Sequence, residues 1–85
     1  MKQLIHKSDE ELLQVLQQED RQAYEVIYDR YWQILFRFAR KMMQDESAAK
    51  DVVQDVFTTL WIKSAEKNIR PPLAAFLYTL IRNKI

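Results

Sequence analysis

The segment AKDVVQDVFTTLW, residues 49–61, determines the fold class of this 85-residue chain. Its apolar side chains recur at the spacing i, i+3, i+4, i+7, i+8, i+11 and i+12, which is the period of one face of an α-helix. Either Asp45 or Ser47 can cap the start of this helix. The apolar face comprises Ala49, Val52, Val53, Val56, Phe57, Leu60 and Trp61.

Two further helices are predicted before this segment. Ser8-Asp9-Glu10-Glu11 has the pattern of a capping box and begins a short amphipathic helix that runs to about Gln18. Asp20 is the next candidate N-cap, and a long helix follows to about Met43. Its apolar stripe is predicted to contain Ala23, Ile27, Tyr31, Ile34, Phe38 and Met42, widened by Tyr24, Tyr28, Leu35 and Ala39.

The helical pattern breaks between Lys63 and Pro72, because two adjacent prolines prevent a continuous helix. A fourth helix opens at the prolines and runs to Ile85 with no polar stop, so we expect the chain to be a fragment cut inside or just after it. Its predicted inward side chains are Leu73, Phe76, Leu77, Leu80 and Ile81.

The absence of glycine argues against hairpins and for helices that are joined by short polar loops. The sequence therefore predicts one all-α domain over residues 1–85, an orthogonal bundle of three main helices plus a short N-terminal helix. We expect Val53, Phe57, Leu60, Trp61, Ile27, Leu35 and Phe76 to be buried together.

Composition argues against an enzyme. The chain contains no cysteine and only one histidine, His6, so thiol nucleophiles, disulfides and thiolate metal sites are excluded. Asp51 and Asp55 form a carboxylate pair at i, i+4, but no histidine lies near them in the sequence, and no glycine-rich phosphate loop is present. We expect no cofactor and no metal. The absence of cysteine fits a reducing cytoplasm, so we expect a cytoplasmic protein. The start, Met1 to Ser8, has no apolar run long enough for a signal or membrane segment, so we expect no membrane insertion.

The net charge of +1 hides alternating blocks of charge. Residues 1–20 carry two lysines against five acidic side chains, and residues 44–66 repeat that balance of two against five. Residues 21–43 carry five basic side chains against two acidic ones, and residues 67–85 carry four basic and no acidic ones. Blocks of this kind indicate two differently charged surfaces, one of which could face phosphate.

The segment Asp51-Val-Val-Gln-Asp-Val-Phe57 with Leu60-Trp61 resembles the core-binding helix of extracytoplasmic-function sigma factors, where Asp-Val-Val-Gln-Glu-Val-Phe…Leu-Trp is typical. The stretch of residues 20–31, with Ala23-Tyr24, Ile27-Tyr28 and Tyr31-Trp32, resembles the first part of the same domain. FLYTLIRN, residues 76–83, is similar to the family's promoter-contacting helix. The resemblance covers roughly Ser8 to Ile85 and implies the second domain of a sigma factor, without the helix-turn-helix domain that follows it in the family.

On this resemblance, Asp51, Gln54 and Asp55 would dock on the clamp helices of the largest subunit of core RNA polymerase. The residues support that reading, because they form a compact i, i+3, i+4 patch suited to charge-assisted hydrogen bonds with arginines. An ordinary solvated helix face is the alternative for the patch taken by itself.

The resemblance also implies promoter contacts in the basic final block. The predicted loop residues Lys67, Asn68 and Arg70 would form the pocket for an extruded base of the minus-ten element on the non-template strand. The outward face of the last helix would contribute Tyr78, Thr79, Arg82 and Asn83. Phe76 and Thr79 stand where the family often has Trp and Arg, so one cation is missing from this face.

Two alternatives remain open at the level of sequence. Tyr78 could close the edge of the core, and Arg82 could be a cation favoured by the helix dipole. The whole chain could also be a helical adaptor that binds a partner helix in an aromatic groove and has no DNA role. A possible anti-sigma factor is compatible with the sigma-factor interpretation, since it would occlude the same surfaces.

Overall fold

The computed structural model describes residues 2–85, with side chains from Leu4 onward, and every regular element in it is helical. A 3-10 helix at Lys2–His6 precedes α1 (Asp9–Leu16), α2 (Arg21–Met43), α3 (Glu46–Ala65) and α4 (Leu73–Lys84). The predicted all-α class, with three longer helices and a short one before them, is confirmed. No helix in the described part of the chain combines the length and apolar character that a membrane span requires.

The three predicted helix starts are confirmed by their caps. The Ser8 hydroxyl accepts from the Glu11 amide at 3.2 Å, while the Glu11 carboxylate accepts from the Ser8 amide at 2.9 Å. That backbone hydrogen bond is the main reason why the pKa of Glu11 lies below its usual value. Asp20 caps α2 by accepting from the amides of residues 22 and 23, and Asp45 caps α3 by accepting from that of Ala48.

Three residues other than glycine adopt left-handed backbone conformations just after helices. Their φ angles are 62° at Glu19, 57° at Gln44 and 53° at Lys67. Such a conformation costs about 1–2 kcal/mol for a residue with a Cβ. In each case it turns the chain out of a helix, where glycine is the usual residue. A glycine-free sequence therefore does not prevent left-handed turns in this fold.

The core runs through all four α-helices, and α2 and α3 each contribute five of its buried apolar residues. On α2 the buried residues recur every fourth position: Ala23, Ile27, Tyr31, Leu35 and Ala39. Positions four apart advance by 40° around a helix with 3.6 residues per turn, so the buried face winds around α2. Consequently the prediction is wrong for Ile34 and Met42, which are 44% and 59% exposed. Phe38 packs against the core as predicted, although it is only partly buried.

Two further members of the predicted core are only partly buried. Trp61 lies at the edge of the core, where its ring packs against Tyr24 with the centroids 5.2 Å apart. Phe76 lies beside the line of buried α4 residues rather than in it. The fully buried residues of α3 and α4 are Ala49, Val53, Val56, Phe57, Leu60, Leu73, Leu77 and Ile81.

The loop between α3 and α4 begins later than the apolar pattern indicates. Helix α3 continues through Lys63 to Ala65. Ser64 is buried, and its hydroxyl is satisfied because it donates to the carbonyl of Trp61 at 2.7 Å. The Pro71–Pro72 peptide bond is cis, and Pro72 occupies the N-cap of α4 without a side-chain hydrogen bond. Residues 66–72 therefore form the connection that precedes α4.

Candidate functional site

The acidic patch of α3, defined as Asp51, Gln54 and Asp55, is exposed to solvent. Within the described residues, neither aspartate makes an ion pair or a side-chain hydrogen bond. The Gln54 amide nitrogen donates to the Tyr28 hydroxyl at 2.8 Å, which ties this side chain to α2. The patch thus presents two free carboxylates beside an amide that is held in place.

An aromatic cluster fixes α3 against α2 directly behind this patch. The rings of Tyr28 and Phe57 lie 4.6 Å apart, and Tyr24 meets Phe57 edge-on at 6.5 Å. The Tyr24 hydroxyl donates to the carbonyl of Phe57 at 3.2 Å, and burial raises the pKa of this tyrosine. The carboxylates of Asp51 and Asp55 are therefore presented by a helix whose opposite face is firmly packed, which limits the entropy lost on binding.

The same face of the molecule contains a small groove next to the aromatic cluster. It has a volume of about 190 Å³ and is lined by Arg21, Tyr24, Thr58 and Trp61. Ile62, one turn beyond Thr58 on α3, is 53% exposed. Apolar surface thus adjoins the acidic patch. Trp61 lines this groove, whereas the periodicity of α3 predicts that it lies in the core.

The loop before α4 is held by α1. Ile69 is 5% exposed, and its amide and carbonyl both face the Gln17 side chain, at 3.4 Å to the Oε1 atom and 3.5 Å to the Nε2 atom. The Lys67 ammonium donates to the Gln17 carbonyl at 2.9 Å. No local pattern of residues indicated this role of Gln17, because it lies 52 positions before Ile69 in the chain.

The predicted DNA-binding residues of the loop consequently fall into two kinds. Asn68 and Arg70 are exposed on either side of the buried Ile69, and neither side chain has a hydrogen-bond partner among the described residues. Lys67 is exposed as well, but its ammonium group is already bonded to α1. Asn68 and Arg70 therefore have free side chains, and the Lys67 ammonium keeps two of its three donors for a ligand.

Helix α4 divides its predicted DNA-binding residues in a similar way. Thr79, Arg82 and Asn83 are exposed, as predicted. Tyr78 is partly buried, because its ring packs edge-on against Phe38 of α2 with the centroids 5.9 Å apart. It therefore contributes to packing and retains only part of its surface for a ligand.

A depression that the sequence analysis did not single out, lined by three basic and two acidic side chains, lies at the C-terminal end of α2. It encloses about 550 Å³ and is lined by Arg37, Arg40, Lys41, Gln44, Asp45 and Glu46. Its two acidic members are engaged elsewhere, since Asp45 caps α3 and Glu46 approaches Lys50 at 3.9 Å. In the described part of the chain, no group of three His, Cys, Asp or Glu side chains is arranged to hold a metal ion.

In the comparison with protein families, residues 27–85 match the model described as Sigma-70 region 2. The matched range includes the acidic patch, the loop and α4, while α1 and the first turns of α2 precede it. Comparisons with curated proteins and with solved structures found no match.

Proposed function

Because the chain belongs to the Sigma-70 region 2 family, we propose that it acts in an alternative sigma factor of the extracytoplasmic-function group. Region 2 of a sigma factor binds core RNA polymerase and the minus-ten promoter element, and it is not an enzyme. Membership of this family favours transcription initiation over the adaptor interpretation, which has no DNA role. The assignment to the extracytoplasmic-function group is supported by the motif of residues 51–57 with Leu60-Trp61.

We propose that the acidic patch of α3 docks on the clamp helices of the largest polymerase subunit. The observation that carries this proposal is the pair of free carboxylates, Asp51 and Asp55, on a helix packed tightly against α2. Carboxylates of this kind form strong hydrogen bonds with arginines on a partner helix. The groove between Tyr24 and Trp61, together with the exposed Ile62, offers apolar contact area next to them.

The binding of this patch to isolated clamp helices tests the proposal. Replacing both aspartates, Asp51→Arg and Asp55→Arg, should abolish binding, since attraction to an arginine-bearing partner becomes repulsion. Helicity measured by circular dichroism should stay unchanged because both side chains face water. Glu66→Arg is the control, because Glu66 is an exposed carboxylate at the C-cap of the same helix and should tolerate reversal. If the double variant binds as well as the original chain, α3 does not form the interface.

We further propose that the loop and α4 capture an unpaired base of the minus-ten element from the non-template strand. Asn68 and Arg70 support this role, because both are exposed around a buried anchor and have free side chains. Arg82 and Asn83 extend the basic and polar surface along α4, with Thr79 beside them and Tyr78 at its edge. The domain would act in the cytoplasm, and an anti-sigma factor would inhibit it by covering either surface.

A further inference from the structure

The side of α2 that faces away from the core carries two cations that the proposed function does not use. Arg37 and Lys41 each lie two residues from the buried Ala39, and positions two apart point to opposite sides of a helix. Both line the depression at the end of α2, both are exposed, and in the described part of the chain neither makes an ion pair or a side-chain hydrogen bond. Ile34, three residues before Arg37, is 44% exposed. These three residues define the outer face of α2.

Helix α3 has a face of the same design with the opposite charge. Asp51 and Asp55 lie two residues before and after the buried Val53, so both point away from the core. Ile62 follows Asp55 by seven residues, which is about two turns, and is 53% exposed on the same side. Asp51, Asp55 and Ile62 define the outer face of α3.

The two outer faces cannot meet within one copy of the chain. Helices α2 and α3 pack together through the core, where Ala39 and Val53 are fully buried. Each outer face lies on the side of its helix that is opposite to these residues. An ion pair between the cations of α2 and the carboxylates of α3 therefore requires a second molecule.

The charges on the two faces have the same spacing. Arg37 and Lys41 are four residues apart, as are Asp51 and Asp55, which corresponds to about 6 Å along each helix. When α3 of one copy runs antiparallel to α2 of another, Asp55 lies opposite Arg37 in the register that places Asp51 opposite Lys41. Both carboxylates thus meet a cation in a single register.

Two further features favour contact between copies. In the antiparallel register, Ile34 and Ile62 lie about one helical turn apart, so their exposed side chains can pack against each other. The net charge of the chain is only +1, which leaves little overall repulsion between two copies.

We propose that the free chain self-associates, with the outer face of α3 of one copy docked antiparallel on the outer face of α2 of the next. The two docking faces differ, so every added copy leaves one face of each kind free, and the association continues beyond two copies. Exposed ion pairs are weak and are screened by salt, so the assemblies form at high protein concentration and low ionic strength.

The contact covers the carboxylates that we propose for polymerase docking. Only this consequence rests on the proposed function: a copy whose Asp51 and Asp55 are paired with another copy cannot dock on polymerase. Polymerase binding and self-association then exclude each other, and isolated clamp helices should convert the assemblies to single copies.

Sedimentation equilibrium of the chain over a range of concentrations tests the association. At low salt, the weight-average mass should rise with concentration and exceed that of two copies. At high salt it should return to that of a single copy. A mass that stays at one copy at low salt, or an association that persists unchanged at high salt, would overturn the proposal.

Two lysines provide a matched pair of variants. Lys41 and Lys84 are both exposed and both lie in the last turn of their helices, but only Lys41 belongs to the outer face of α2. Lys41→Glu should lower the association constant about tenfold, because an attractive pair becomes a repulsive one. Lys84→Glu changes the net charge equally and should leave the association constant unchanged. Equal effects of the two variants would place the contact elsewhere and refute it.

An exchange of charges between the two faces tests the register. Arg37→Glu with Lys41→Glu makes both faces acidic, and Asp51→Arg with Asp55→Arg makes both faces basic. Each double variant should stay a single copy by itself. An equimolar mixture should associate again, because each face of one variant is then complementary to a face of the other. A mixture of helical variants, as judged by circular dichroism, that does not associate would refute the pairing.

These outcomes are separate from those of the proposed function, because sedimentation requires neither polymerase nor DNA. Clamp helices that do not bind the chain would refute polymerase docking and leave self-association in place. Assemblies that keep their mass while clamp helices bind to them would show that the two contacts do not share Asp51 and Asp55, which refutes the proposed contact.

Discussion

Asp9 and its partners show how single side chains attach the N-terminal part of the chain to α2. The Asp9 carboxylate accepts from the Tyr31 hydroxyl and from the Arg30 guanidinium, the latter at 2.9 Å. Arg30 also donates to the carbonyls of Ile5 and Lys7, at 3.2 Å and 3.1 Å. Burial, reinforced by the hydrogen bond to Asp9, raises the pKa of Tyr31 to about 12.

This raised pKa predicts a loss of stability in alkali. An unfolded tyrosine ionises near pH 10. Because the pKa of Tyr31 is higher in the folded state, the protonated hydroxyl stabilises the fold. This contribution to the free energy of unfolding is fully present below about pH 10. The contribution is lost as the pH rises through the folded pKa of about 12. Urea unfolding of Tyr31→Phe should therefore show a smaller decline in the free energy of unfolding above about pH 10 than the original chain. Parallel declines in both proteins would contradict this account.

Gln17 is the residue that connects the proposed DNA-binding loop to the rest of the fold. Its side chain faces both backbone groups of Ile69, and its carbonyl accepts from Lys67. The hydrogen bonds between its side chain and Ile69 are long, so each contributes little to global stability. Their position suits a local role, because they restrain Ile69, while the bond to the Gln17 carbonyl restrains Lys67 on the other side of Asn68.

Gln17→Ala should therefore loosen the loop while it changes the free energy of unfolding by less than about 1.5 kcal/mol. Amide hydrogen exchange provides the measurement: the Ile69 amide should exchange faster, because it loses the Oε1 acceptor. Gln18→Ala is the control, since Gln18 is the next residue and is exposed without a described side-chain hydrogen bond. Unchanged exchange at Ile69 in Gln17→Ala would mean that the loop is held by other contacts.

At the scale of elements, one face of α3 packs into the core and the opposite face presents the acidic patch to solvent. Val53, Phe57 and Leu60 are fully buried against the neighbouring helices, while Asp51 and Asp55 face solvent. Helix α4 is less deeply packed on its flanks, where Phe76 remains partly exposed beside the buried Leu77. The two phenylalanines thus differ in burial, although the apolar pattern treats them alike.

Truncation of these two side chains should reveal the difference. Phe57→Ala removes a fully buried ring from the centre of the core and should cost about 3–5 kcal/mol. That is a large share of the roughly 5–15 kcal/mol that stabilises a domain. Phe76→Ala should cost less than about 2 kcal/mol, because its ring keeps part of its surface in water. Urea melts that give equal losses for the two variants would show that the centre of the core is misassigned.

At the scale of the whole molecule, the chain presents surfaces of opposite charge within extents of 36 × 25 × 18 Å. The acidic patch of α3 suits a basic protein partner, and the loop with α4 suits phosphate. Under the proposed function, these two surfaces would bind a protein and an unpaired strand at once.

The complete assembly should consequently prefer single strands over duplex DNA. A duplex must first unstack and unpair the captured base, which costs a few kcal/mol, whereas an unpaired non-template strand does not. Fluorescence anisotropy with the polymerase-bound chain at low salt should show tighter binding to the cognate single strand than to the same sequence as duplex.

Two variants distinguish base reading from phosphate contact in that assay. Asn68→Ala should reduce the preference for one base over the others at a single position, because the lost amide can hydrogen-bond a base edge. Arg82→Ala should weaken all sequences alike and flatten the salt dependence. Equal binding of cognate and scrambled single strands by the unaltered protein would refute promoter reading.

The sequence by itself determined the helices and their beginnings. Ser8 and Asp20 act within a few residues of their own positions, so local hydrogen-bonding chemistry was enough to identify these two caps. For α3 the sequence left Asp45 and Ser47 open, and the structure decided for Asp45. The spacing of apolar residues in α3 was equally local and predicted its buried face, apart from its partly buried edge at Val52 and Trp61. The exposure of Asp51, Gln54 and Asp55 followed from the same periodicity.

Only the tertiary structure decided which sides of the helices are buried and which residues, distant in the sequence, contact each other. Ile34 and Met42 are exposed because the buried face winds around α2, which a single straight stripe does not describe. Tyr78 is partly buried because it meets Phe38, forty residues earlier in the chain. Lys67 is bonded to α1, and the Ile69 backbone to Gln17, across 50 and 52 positions. Such contacts arise only when folding brings distant segments together, so no local pattern of residues encodes them.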